Sequence, residues 1–274
     1  MNAGMILTDL DGTFLNNQGR ISPRNLEMLS ILGEKKVLRV AATGRNIQSS
    51  REVLDHNLPF DYLIFSTGAG ICTFADDRVI HSNHLHKNDI HEVAEYFLAN
   101  DMDFSIHHPI PENHCFYLFQ SSNPTSDLTH RLKYLKQFAQ TTQLHEISSA
   151  TQLLAISLNG LEIIEELRSR FMHLNIIRTT SPIDGRHVWI EVFPAGVSKG
   201  LAAEWLCRHL NIDKSLTMSI GNDFNDLAML EWTSSSFAVA NAPTEIRQSF
   251  HAVADNDSDG FAQAVEIWLK RMSL

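Results

Sequence analysis

Short apolar runs and helical stripes alternate along this chain, and their order predicts a layered α/β fold. Gly4-Met5-Ile6-Leu7-Thr8 is apolar until Asp9, Leu10, Asp11 and Gly12 close it, which reads as a buried strand delivering a carboxylate at its carboxyl end. Ser22-Pro23 supplies an N-cap and a first-turn proline, and Leu26, Leu29 and Leu32 follow at helical spacing before Gly33 stops the helix. Further strands are predicted over 37–42, ending at Thr43-Gly44-Arg45, and over 62–65, ending at Ser66-Thr67-Gly68. The rhythm returns late in the chain: a helix over 197–210, a strand over 216–220 running into Gly221-Asn222-Asp223-Phe224-Asn225-Asp226, short strands over 236–240 and 252–254, and a closing helix over 261–271. Such alternation builds a parallel sheet with right-handed crossovers, whose ligands bind beyond the carboxyl ends of the strands.

The middle of the chain, 83–187, has a different texture. Amphipathic helices are predicted around 90–98, 128–139 and 161–171, and strands over 115–119 and 153–158, a mixture that suggests an α+β insert. Residues 1–82 and 188–274 are thereby assigned to one domain and 83–187 to a second.

Composition narrows the function. A hydrophobic fraction of 43% and a charged fraction of 20% are ordinary for a folded globular chain. The formal net charge of −10 argues against nucleic acid or an anionic membrane as partner, so a negatively charged substrate needs a local positive site. Cys72, Cys115 and Cys207 are far apart and read as buried thiols of a reducing compartment. With neither a signal-peptide pattern nor a run of ~20 apolar residues, the expected location is the cytoplasm.

The chemistry gathers at the strand ends. Asp9 and Asp11 stand two residues apart where the first strand breaks, and Thr43, Lys199, Asp223 and Asp226 stand at other strand ends or helix starts, which converge in a parallel sheet. Carboxylates ~4 Å apart repel by ~4 kcal/mol per pair at an effective dielectric near ~20, so the cluster implies a divalent cation and a nearby lysine. Oxygen-only ligation points to Mg²⁺.

Asp9-Leu10-Asp11-Gly12-Thr13, Ala42-Thr43-Gly44-Arg45, Val197-Ser198-Lys199-Gly200 and Gly221-Asn222-Asp223-Phe224-Asn225-Asp226, in this order, resemble the four motifs of the haloacid dehalogenase superfamily. The long interval between Thr43 and Lys199 resembles the Cof-type sugar-phosphatase-like branch, whose large cap lies between the second and third motifs. Asn241-Ala242 and Asp259-Gly260 resemble that branch too. The resemblance implies a Rossmann-like parallel sheet core with an inserted α+β cap that sets substrate specificity, and a Mg²⁺-dependent phosphatase acting on a small phosphorylated metabolite, a sugar or cofactor phosphate. By the same resemblance Asp9 is the nucleophile that becomes an aspartyl-phosphate and Asp11 the general acid and base. Thr43 and Lys199 hold phosphoryl oxygens, and Gly12, Gly44 and Asn225 line the substrate side. Asp9, Asp11 and Asp226 are implied as metal ligands, together with Asn222 or Asp223. Asn222 occupies the place where the common motif has an aspartate, and Thr67 the place where the branch commonly has asparagine. Arg45 reads as an ion-pair or helix-start residue. Two other readings fit the same residues: a phosphomutase, which forms an isomer rather than free phosphate, and a non-catalytic regulatory protein, in which replacing Asp9 would change no turnover.

Overall fold

Why the first strand is so apolar becomes plain once its neighbours are seen. The computed structural model describes residues 4–181, 183 and 186–272. These residues fall into two compact units, one within Met1–His81 and Ser198–Leu274, the other within Ser82–Val197.

In the first unit, strand β1 (Gly4–Thr8) is buried along its whole length. Helix α1 (Pro23–Glu34) starts where predicted: the Ser22 hydroxyl accepts the Asn25 N–H at 3.1 Å, and Pro23 occupies the first turn. Strand β2 (Val37–Ala42), helix α2 (Ile47–Arg51) and strand β3 (Tyr62–Phe65) follow, then the hairpin β4 (Gly70–Thr73) and β5 (Val79–Ser82).

The second unit contains β6 (Leu85–His86), α3 (Lys87–Ala99), β7 (Asp103–His107), β8 (Phe116–Phe119), α4 (Ser126–Leu135), β9 (Ala139–Gln140), β10 (Ser149–Ala150), β11 (Gln152–Ser157), α5 (Gly160–Arg170), β12 (Leu174–Thr180) and β13 (Val188–Pro194). The chain then completes the first unit with α6 (Lys199–His209), β14 (Thr217–Gly221), α7 (Leu227–Trp232), β15 (Ser235–Val239), α8 (Thr244–Ser249), β16 (His251–Val253) and α9 (Gly260–Met272).

The first unit holds an eight-stranded sheet in the order β16-β15-β14-β1-β2-β3-β4-β5. Its strands are parallel from β16 to β3, and β4 runs antiparallel to β3. Central β1 pairs Leu7 with Ser219 on one side and Val40 on the other, so Asp9 emerges beside the carboxyl ends of β2 and β14. Met5 and Leu7 join Val40, Ala42 and Ile64 in packing against Ala202, Ala203 and Leu206 of α6. Burial on both faces is what gives parallel strands continuous apolar runs rather than alternation.

The second unit is built on a six-stranded sheet ordered β12-β13-β11-β7-β8-β9, antiparallel except for the short β8–β9 pair. Ile90, Val93, Ala94 and Phe97 of α3 and Ile164 and Leu167 of α5 pack on Phe104, Ile106, Leu153, Ala155, Ile190 and Val192. Here the structure moves a boundary. Residues 188–194, assigned by sequence to the first domain, form β13, which pairs with β11 and β12 in the second unit's sheet. Ile190 and Val192 are fully buried there. The change of unit comes at Ser198, after the Pro194-Ala195-Gly196 turn. Strand β7 also lay outside the predicted elements: it alternates Phe104 and Ile106, on the helix-covered face, with Asp103, Ser105 and His107.

Candidate active site

The nucleophile candidate leaves its strand still bonded to the sheet. The Asp9 N–H donates to the Ile220 carbonyl at 3.0 Å, and the side chain is 5% exposed. Lys199 reaches it from the first position of α6, a helix start fixed by Ser198, whose hydroxyl accepts the Leu201 N–H at 3.1 Å. The wholly buried Lys199 Nζ donates to Asp9 Oδ1 at 2.7 Å and to Asp226 Oδ1 at 2.6 Å. The second Asp226 oxygen accepts the Asn222 and Asp223 N–H groups at 2.8 and 3.1 Å. A Cβ at Gly221 would stand 2.6 Å from the Asp226 carboxyl carbon, so glycine is required where the loop folds over that carboxylate.

Burial pushes the Asp9 carboxyl above the usual carboxylate range, Asp226 adds to the shift, and Lys199 only partly offsets it. Burial alone would lower the Lys199 amine, but Asp226 and Asp9 outweigh it and hold the ammonium charged.

The other Asp9 oxygen faces Asn222. The inner end of the Asn222 amide lies 3.1 Å from Asp9 Oδ2, 3.2 Å from the Asp11 carbonyl oxygen and 3.1 Å from the Thr13 hydroxyl. With the NH₂ turned inward its two N–H groups have all three acceptors within reach. With the carbonyl inward it accepts only from Thr13 and opposes two bare oxygens. Those oxygens suit a cation: neighbouring ligands on an octahedron with ~2.1 Å bonds are about 3 Å apart, close to the separations found here. One carboxylate, one carbonyl and one amide oxygen form an oxygen-only donor set that a hard divalent ion fits, water and substrate phosphate completing the shell. Asp223, the other candidate beside it, is the cap of the following turn, its backbone carbonyl accepting the Asp226 N–H at 3.0 Å and its own N–H donating to Asp226.

The remaining predicted residues take varied places. Gly12, at φ +77°, is in the left-handed region, and a Cβ there would lie 2.6 Å from the outer end of the Asn222 amide. Thr43 is buried at the end of β2, its hydroxyl accepting the Arg45 N–H at 3.1 Å. Gly44 lies between Asn225 and Thr67, each with a side-chain atom 3.6 Å from where a glycine Cβ would be. The Asp11 carboxylate, implied as acid and ligand, instead accepts Nε and Nη2 of Arg45 at 2.8 Å each in a bidentate pair. Only its backbone carbonyl faces Asn222. Both Asp226 oxygens serve Lys199 and the loop amides, so this residue anchors the lysine and the turn.

Two residues join the site without having been assigned to it by sequence. Thr13 donates or accepts at Asn222, and Asn241 donates to the Gly12 carbonyl at 2.7 Å, bracing the turn from the loop after β15. The Asn241-Ala242 pair was the available signal for the second.

The model of the haloacid dehalogenase-like hydrolases matches residues 6–265. A 5-amino-6-(5-phospho-D-ribitylamino)uracil phosphatase of Bacillus subtilis is 26% identical, over 95% of this chain and 96% of its own length. A second Bacillus subtilis phosphatase of that same description is 24% identical over 97% and 95%. Among solved structures, a haloalkanoate-superfamily phosphatase from Bacteroides thetaiotaomicron superposes with a TM-score of 0.80 at 20% identity, covering 98% of this chain and 95% of that one. A subclass IIB sugar phosphatase of the superfamily gives a TM-score of 0.78 at 21% identity, over 97% and 98%. Four motifs in order, the meeting of the third and fourth with Asp9 of the first, and a match over nearly the whole length agree: the chain belongs to the haloacid dehalogenase-like hydrolase family.

Proposed function

We propose that this chain, a phosphoric monoester hydrolase, releases phosphate from a small phosphorylated metabolite through covalent catalysis at Asp9, with Mg²⁺ as cofactor. The observation that carries the reading is the pairing around Asp9: Lys199 holds one oxygen at 2.7 Å, and the other stands in a ring of oxygen donors. In the first step an Asp9 oxygen attacks phosphorus, forming the aspartyl-phosphate as the ester oxygen leaves with a proton. In the second, water attacks the same phosphorus, restoring the carboxylate and releasing phosphate. Asp11 is the group for both proton transfers, and must first part from Arg45. Lys199 stays on Asp9 and offsets negative charge gathering at the transferred group. Thr43, the Gly12 and Gly44 backbone and Asn225 are assigned to the phosphate oxygens. When bound between Asp9, the Asp11 carbonyl and Asn222, a divalent cation supplies the positive charge that lets an anionic nucleophile meet an anionic substrate.

The unit formed by residues 82–197 is assigned the choice of leaving group, and the cytoplasm is the proposed location. Among the described residues no helix is long and apolar enough to cross a membrane. The relatives' names direct the test. A panel of sugar phosphates and cofactor-precursor phosphates such as 5-phosphoribitylamino-uracils should yield free phosphate with Mg²⁺, and less with Ca²⁺, whose looser shell does not hold octahedral geometry. No phosphate from any member of the panel would refute the reading.

A further inference from the structure

Asn222 gives this site a feature that an aspartate in the same place would lack. A second carboxylate beside Asp9 would repel it in the absence of metal, leaving the cation position open and strongly attractive. An amide offers two chemically different ends on one flat group, and the ring of oxygens around its inner end uses this. NH₂-inward, Asn222 brings two N–H donors within reach of Asp9 Oδ2 at 3.1 Å and the Asp11 carbonyl at 3.2 Å, with the Thr13 hydroxyl at 3.1 Å. The first two acceptors are the very oxygens that would ligate a cation. The amide's backbone is pinned by Asp226, which accepts its N–H at 2.8 Å, so the group can exchange ends only by turning its side chain. Gly12 leaves room for the outer end beside it, since a methyl added there would approach the amide within 2.6 Å.

We infer that Asn222 is a reversible plug of the cation position: in the metal-free protein its NH₂ bridges Asp9 and the Asp11 carbonyl, and a divalent cation enters only as the amide turns and presents its oxygen. The inference rests on the cation site of the proposed function and adds the gate and its consequence. The site tolerates the absence of metal, because the two N–H groups can serve the Asp9 and Asp11 oxygens that would otherwise face each other bare. The cation is held with one carboxylate fewer, hence weakly and exchangeably, since ligand charge count is a main determinant of affinity at oxygen sites.

The test uses the full chain and Mn²⁺, whose free aqueous form is counted by its electron paramagnetic resonance signal. Asn222→Asp should bind Mn²⁺ at least about tenfold more tightly than the wild type, the added ligand charge replacing a neutral donor. Asp223→Asn should leave Mn²⁺ affinity within about twofold, because Asp223 is not among the groups around the inner amide end. Thermal melting with and without chelator supplies the second readout. Chelation should leave the wild-type midpoint nearly unchanged and lower that of Asn222→Asp, with Mn²⁺ restoring it. Equal Mn²⁺ affinities of wild type and Asn222→Asp, or a loss of affinity in Asp223→Asn, would overturn the inference. A chelator-sensitive wild-type midpoint would do so too. A wild type that binds no Mn²⁺ and releases no phosphate would instead remove the proposed function beneath it.

Discussion

Replacing Lys199 by methionine removes a charge that two buried carboxylates share. Nζ lies 2.7 Å from Asp9 and 2.6 Å from Asp226, and all three side chains are at or below 8% exposure. Breaking a buried pair by deleting one partner typically costs about 3–5 kcal/mol, because the orphaned charge stays desolvated. At roughly 2–4 °C per kcal/mol for a chain of this size, the midpoint of thermal unfolding should fall by roughly 10 °C. The pH dependence separates this cause from lost packing. In the wild type the folded-state amine lies above its ordinary value, so its stabilisation is complete at neutral pH and is lost only as pH rises through that higher folded value. Without the ammonium, Asp9, already raised by burial and by Asp226, relieves the repulsion by taking up a proton on folding. Lys199→Met should therefore regain stability as pH falls from 8 towards 5. Urea titrations at several pH values measure both terms. A loss below about 1 kcal/mol, or one that is the same at every pH, would refute the reasoning.

Other positions give sharp expectations. His107 is buried with Nδ1 against the Asn113 carbonyl at 3.0 Å, and burial, then Arg131, push it down to about 3. Its neutral-state stabilisation is complete above the ordinary histidine value and is lost as pH falls towards 3. Near pH 5 unfolding should be easier by about 2 kcal/mol than at pH 7, with the His107 ring still neutral by NMR. Thr67, a branched side chain held at φ +56°, is strained, and Thr67→Asn should raise stability by about 1 kcal/mol in urea denaturation; no gain would mean that local bonds fully compensate the strain. Gly12→Ala should lower both stability and turnover, since its φ and the 2.6 Å approach to Asn222 leave a methyl no room. Asn241→Ala should lower kcat with a smaller change in the melting midpoint, because it braces the Gly12 turn from outside the charged cluster.

The parallel-sheet core was legible in the sequence because burial on both faces leaves its strands mostly apolar up to the polar residues that end them, most plainly in β1 and β3. Asp9 and Asp226 followed such strands and Lys199 opened a helix, and the structure brings the three within bonding distance. The second unit was less legible. β7 shows three polar residues in alternation with two apolar ones, which resembles a loop until pairing with β11 explains it. The Asp184-Gly185 turn signal precedes β13 and detaches it from the middle of the chain, so the boundary fell ten residues early, at 188 rather than Ser198. Within the site, sequence left Asn222 and Asp223 equivalent. What distinguishes them is the turn: both backbone amides converge on Asp226, and the Asn222 side chain faces Asp9 while Asp223 is the cap of the next turn through its backbone carbonyl. The Asp11–Arg45 pair was equally invisible as a pair, since only the folded loops bring a guanidinium across the carboxylate.

The central claim, that Asp9 carries the phosphoryl group, is tested most directly by acid quenching during turnover of acetyl phosphate or p-nitrophenyl phosphate with Mg²⁺, followed by mass mapping of the chain. The predicted result is one hydroxylamine-labile phosphoryl group on the peptide containing Asp9, absent from Asp9→Asn together with phosphate release. Phosphate release that persists in Asp9→Asn, or a phosphoryl group on any other residue, would contradict it.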